Sequence, residues 1–331
     1  MKAAGNSSVC GFNARRAAPR VPLWYPIAAI LVALAVAMRP LGLDRDFSEY
    51  VVAYESSPDR SARIMWSGLG SLWRILSGLN VPFQVALGIT TIAALAPKAR
   101  LIASKPCAVF WSLYYLSAVL LLHEYTQVRL ALAMGCALVT MSRVVDLGSL
   151  DLRGAAWAAA AIWIHPSIVF FAPWWLCWGW LAARPGVMVL LSTLPILLPL
   201  ELVADFAVSL HPAAGEMLPS YQDWPAGNPL SLRNLLLLGV TAVGVGKLTQ
   251  LPSRVRPVVG ISIGCLSFWY ATHTAPVFAH RVLELSLILP IFWISYLPIL
   301  WRRLSMVLVG CLGALLGFFY MTDSTFLMLN R

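Results

Sequence analysis

The sequence predicts an all-α fold: a polytopic integral membrane protein with about 10–11 transmembrane helices. Three observations carry this. Of the 331 residues, 60% are hydrophobic and only 11% are charged, whereas soluble domains hold about 45–50% apolar and about 25% charged residues. The apolar residues fall in runs of spanning length broken by short polar segments. Lysine and arginine are unevenly shared between alternate segments, as an oriented membrane protein requires. A water-soluble core of this composition would lack the polar material to coat it.

One compact bundle is expected: a cytoplasmic tail at 1–20, a single polytopic transmembrane domain at 21–322 with outer loops at 39–80 and 205–231, and a tail at 323–331. The first span, 21–38, follows Arg15, Arg16 and Arg20 and ends in Ala35-Val36-Ala37. That pattern fits a signal peptide with a cleavage site or an uncleaved first helix, and the helix is favoured. Either way the next loop lies outside. Further spans are expected near 82–97, 106–122, 128–142, 187–204, 232–246, 258–271, 281–299 and 304–321. Several fall short of the ~20 residues a bilayer normally needs, a mismatch that tilt absorbs.

The stretch 155–183 reads either as one long helix or as two short ones turning at His165-Pro166-Ser167, because proline disfavours a helical residue before it. Basic residues arbitrate. With the hairpin, Lys2, Arg15, Arg16, Arg20, Lys98, Arg100, Lys105, Arg143, Arg153, Arg184, Lys247, Arg254, Arg256, Arg302 and Arg303 share the inner side, 15 of the 24. With a single crossing the two sides become equal. The positive-inside rule therefore selects the hairpin. It also sends all five histidines and 12 of the 14 acidic residues towards the outer face, leaving only Asp146 and Asp151 inside. Chemistry is expected at that outer face.

Five constellations lie there. Asp46, Tyr50 and Tyr54 recur every four residues and share one helix face, with Glu49 beside Asp46. They suit sugar binding or proton transfer, or an interfacial helix with tyrosines at headgroup depth. Tyr125 and Arg129 open an apolar helix. The planar guanidinium suits a phosphate, and snorkelling to headgroups is the alternative. His165 stands mid-run as a general base, a phosphate ligand or a core residue. On one helix face, His280 and Glu284 stand four apart beside Arg281. The glutamate could neutralise Arg129 or Arg281, or act as a base. The loop 205–231 carries Tyr221, Asp223 and Trp224, a weak carbohydrate signal.

Several classes are excluded. Walker A, HExxH, GxSxG and EF-hand patterns are missing from the sequence. Asp44-Arg45-Asp46 is the nearest approach to a DxD. The net charge of +10 reads as loop anchors; no nucleic-acid motif accompanies it. The six cysteines, Cys10, Cys107, Cys136, Cys177, Cys265 and Cys311, are scattered and read as small core residues.

Taken in order, Asp46 with Tyr50 and Tyr54, Arg129-Leu130-Ala131-Leu132-Ala133, His165-Pro166-Ser167-Ile168, and Arg281 opening a late span resemble the EpsG family of exopolysaccharide polymerases, related to the Wzy-type polymerases. The resemblance covers roughly residues 25 to 300. It implies polymerisation of polyprenyl-diphosphate-linked oligosaccharide units at the outer leaflet of a bacterial inner membrane, with the active site facing the periplasm. The protein would act as a glycosyltransferase needing no ATP and no metal or other cofactor. Arg129 and Arg281 would bind diphosphate. The base would be Asp46, Glu49 or His165, and Tyr50, Tyr54 and Trp224 would hold sugars. Expected partners are the lipid-linked substrate, membrane lipids, a chain-length regulator and a flippase, with no nucleic acid. A polysaccharide transporter or flippase, and an O-antigen ligase-type transferase, are the alternative functions.

Overall fold

The computed structural model of the chain describes residues 24–38, 50–52, 54–55, 68–120, 127–197, 228, 230–273 and 276–322. Within them the structure is helical, and the helices follow one another in chain order: α1 (Trp24–Ala37), α2 (Gly68–Gly78), α3 (Phe83–Ala103), α4 (Ala108–Tyr115), α5 (Val128–Leu147) and α6 (Leu152–Ile164). A 3₁₀ segment (Pro166–Phe171) leads to the short helices α7 (Ala172–Leu176) and α8 (Trp178–Ala183). The remainder is α9 (Pro185–Thr193), α10 (Leu232–Gly246), α11 (Arg256–Thr272), α12 (Pro276–Ser286), α13 (Pro290–Trp293) and α14 (Ile299–Thr322).

Three of these, α3, α5 and α14, are by length and composition able to cross a bilayer alone. The outer surfaces are apolar as well as the core. Helix α14 buries Val309, Leu312 and Leu316 yet exposes Val307, Phe318 and Met321. Helix α1 exposes Ile27, Ile30, Leu31 and Leu34. A helix apolar all round belongs in lipid, because water would penalise its outer face. The chain is an all-α membrane protein.

Several boundaries differ from those read off the sequence. The span expected at 82–97 runs on to Ala103, carrying Pro97 and Lys98 inside the helix. Lys98 is therefore no loop anchor. It is 1% exposed and donates to the Ala131 carbonyl. The span expected at 128–142 continues to Leu147 and stops at Gly148, whose φ of 78° is the left-handed conformation that closes helices. The loop expected at 39–80 contains α2. The span expected at 281–299 breaks after Ser286, before α13 and a 3₁₀ turn. Pro290 explains the break, since it lacks an N–H and its ring crowds the carbonyl four residues back. Of the cysteines, Cys136 and Cys265 are buried, while Cys107, Cys177 and Cys311 are exposed and are not core residues.

The 155–183 stretch does turn at His165. Helix α6 ends at Ile164, and His165 is extended (φ −145°, ψ 109°), as a residue before proline should be. The chain then returns to where α6 began: a Cβ on Gly179 in α8 would lie 3.2 Å from the Gly148 carbonyl oxygen. Trp178 Nε1 donates to the Arg254 carbonyl at 3.0 Å, which brings the α10–α11 connection to the same end. Lys105 stands 5.1 Å over the Phe292 ring there, and Lys247 stands 4.5 Å over Trp301. Burial lowers the Lys105 pKa, with Asp146 working against that shift. Arg143 and Asp151 pair in the turn between α5 and α6. One end of the bundle is thus basic, and the helix ends carrying Arg129, His165 and His280 form the other.

The core is close-packed through glycines. Helix α5 runs parallel to α3, and at Gly135 a Cβ would meet the Ala94 carbonyl oxygen at 3.0 Å and Pro97 Cγ at 3.2 Å. Helix α14 lies along α4 in the same way, with Gly313 against Tyr114 and Ser117.

Candidate functional site

Two side-chain contacts set the register of the antiparallel pair α5 and α6. Arg143 Nε donates to Asp151 Oδ1 at 2.9 Å, and Thr140 Oγ1 donates to the Gly154 carbonyl at 3.1 Å. Both helices rise about 1.5 Å per residue. The same number of residues beyond Thr140 and Gly154 lie Arg129 and His165, so the two stand at one level at the end away from the basic face. Arg129 is half-buried in the first turn of α5. Among the described residues no carboxylate stands within ion-pair distance of it.

His165 Nδ1 lies 2.7 Å from Ser167 Oγ. That bond ties the ring to the 3₁₀ segment two residues on. The segment packs against α5, α6 and α12. It therefore joins the Arg129 side of the bundle to the helix that carries His280, Arg281 and Glu284.

Arg233 in the first turn of α10 donates through a terminal guanidinium nitrogen to His280 Nδ1 at 2.8 Å. Its Nε reaches Asn234 Oδ1 at 3.4 Å. Ser231 caps α10 by accepting from the Asn234 N–H, and Asn234 Nδ2 donates to the Asn228 carbonyl at 2.9 Å. Glu284, one turn beyond His280, and Tyr320 of α14 supply the charge and phenol that act on Arg233. Trp269 of α11 flanks both His273 and His280, with ring centroids 6.0 and 6.3 Å away. His165, His273 and His280 share this end of the bundle; His123 and His211 lie outside the described residues.

Tyr50 and Tyr54 share a face, as their spacing requires, and that face meets Trp73 of α2. The ring centroids are 5.6 and 5.9 Å from Trp73, both edge-on. Tyr54 Oη also donates to the Val81 carbonyl at 2.6 Å, and Trp73 Nε1 donates to Thr90 Oγ1 at 3.1 Å. The tyrosines are 6% and 8% exposed. Their rings are packed against protein.

Of the other candidates, Asp46, Glu49, Glu124, Tyr125, Tyr221, Asp223 and Trp224 lie outside the described residues. Arg281 lies on α12, immediately after His280. Arg233 and Trp73 were not singled out from the sequence. Arg233 had a signal, because an arginine opening an apolar helix behind a serine cap matches the logic that drew attention to Arg129. Its partner had none, since His280 is 47 residues away on another helix. Glu284 likewise acts on Arg233, which the sequence did not suggest.

A family model described as EpsG family matches residues 23–327, nearly the whole chain. No curated protein matches, and no solved structure matches.

Proposed function

The chain belongs to the EpsG family, and on that footing we propose that it polymerises oligosaccharide repeat units carried on polyprenyl diphosphate. The family membership supports an exopolysaccharide polymerase in general terms. The donor, the chemistry and a periplasm-facing site in a bacterial inner membrane are our reading.

The observation that carries it is the level pairing of Arg129 with His165, on a segment that also touches α12. A hydroxyl oxygen of the acceptor unit attacks the anomeric carbon of the growing chain. The bond from that carbon to the diphosphate oxygen breaks, and the diphosphate leaves with the electron pair. Arg129 and Arg281 stabilise the charge that grows on the leaving group, in a site where fixed donors act more strongly than water does. The hydroxyl proton passes to a base. We assign His165 to this role, its ring tied to the 3₁₀ segment by the 2.7 Å contact between Nδ1 and Ser167 Oγ. Asp46 and Glu49 are the other bases in this scheme. Tyr50 and Tyr54 act through Trp73, which anchors the segment following those carboxylates, and Trp224 is a sugar contact.

Replacing Arg129 by lysine tests the proposal. Lysine keeps the charge but loses the planar fork, so polymer should shorten or vanish while the protein stays in the membrane. Normal chain lengths would refute the clamp. A deletion strain should retain single-repeat material and lose polymer. Substrate stranded on the cytoplasmic leaflet would point instead to a transporter.

A further inference from the structure

A polymerase of this kind handles two lipid carriers at once, and only one of them loses its sugar. The acceptor unit must also be held by its diphosphate. Arg129 serves the departing group. A second arginine, Arg233, opens α10 as Arg129 opens α5.

Arg233 sits half-buried in the first turn of α10. Among the described residues no carboxylate lies within ion-pair distance of it. Its direct partners are a ring nitrogen of His280 at 2.8 Å and the Asn234 amide oxygen. A guanidinium has no lone pair to offer, so His280 Nδ1 must be the acceptor and its ring neutral there. A neutral acceptor orients the guanidinium without cancelling its charge, and Glu284 acts on it through space rather than as an ion pair. The N-terminus of α10 adds to the positive field. Position 281 lies about 100° round α12 from His280, so the helix face that meets α10 is distinct from the one at Arg281.

Resting on the polymerase reading above, we propose that Arg233, steadied by His280, binds the diphosphate of the second lipid carrier, at a site separate from Arg129. Arg233 is the ligand. His280 is a positioning residue.

The test is a count of binding sites. The full-length protein in nanodiscs is titrated with farnesyl diphosphate, with inorganic diphosphate and farnesol as comparison probes. Wild type should bind two equivalents of farnesyl diphosphate. Arg233→Gln and Arg129→Gln should each bind one, and the double variant none. His280→Gln should weaken the Arg233 site about tenfold, the scale of one charge-assisted hydrogen bond, and leave the other site unchanged. That split guards against a mere folding defect, which would lower both. One equivalent on wild type, or two on Arg233→Gln, overturns the proposal. Loss of both sites in Arg233→Gln while His280→Gln weakens neither also overturns it. If Arg129→Gln still binds two while Arg233→Gln binds one, the Arg129 clamp fails and the Arg233 site stands. Competition by inorganic diphosphate assigns the headgroup as the ligand; farnesol binding equally well at the Arg233 site would overturn that assignment and the proposal with it.

Discussion

The Lys98 ammonium donates to the Ala131 carbonyl oxygen at 2.9 Å, from one helix to the next and two residues past Arg129. Lys98 is 1% exposed, so the contact lies inside the bundle. A charge kept in that position at the expense of desolvation points to a role beyond packing. Lys98→Met retains the stem and removes the charge. Because exchanging a buried charge for a packed apolar group is often neutral or stabilising, the unfolding temperature should hold or rise. Polymer length should fall, since a positive charge beneath Arg129 is lost. A lower unfolding temperature with normal polymer would make Lys98 a structural tether only.

Gly135 allows that contact by letting α3 approach α5. Gly135→Ala would push a Cβ to 3.0 Å from a backbone oxygen, which cannot swing aside. We expect a loss of about 1–3 kcal/mol, the usual scale of overpacking. Gly186→Ala is the control, because nothing lies within 4 Å of a Cβ there. Equal unfolding midpoints for the two variants would contradict this packing.

Tyr54→Phe removes the hydroxyl that donates to the Val81 carbonyl at 2.6 Å and keeps the ring on Trp73. A cost of about 0.5–1.5 kcal/mol is expected, with polymer length unchanged. Short polymer from a variant of near-normal stability would return Tyr54 to the sugar contacts.

Asp151 couples stability to acid. Its carboxyl is held down to about 2, first by the hydrogen bond from Arg143. The folded value lies below the ordinary carboxylate value of 3.8. The pair's contribution is therefore complete above about pH 4 and is lost as pH falls through about 2. Wild type should outlast Asp151→Asn in detergent at about pH 5, and the gap should close towards pH 2. A gap that ignores pH would rule out the ion pair as its source.

Much of this was legible from the residues in order. The all-α membrane class follows from too little polar surface for water. The break at His165 follows from Pro166, a local steric effect that no packing is needed to reveal. The gathering of Lys105, Arg143, Arg184 and Arg254 at one end follows from charge, which the bilayer sorts before helices pack. The level pairing of Arg129 and His165 was half legible: sequence put both near one face, and the Thr140–Gly154 contact set the register.

The rest depends on how each helix is turned about its own axis. Lys98 counted as a surface anchor because hydropathy cannot tell a helix end from its interior. Tyr50 and Tyr54 looked available because spacing fixes which side they share but not what covers it. Arg233 found His280 only when α10 and α12 came together, 47 residues apart in the chain. Composition, charge and proline act along the chain and can be read from it. Rotation and close approach are decided by glycines such as Gly135 meeting their neighbours, and that exists only in the folded bundle.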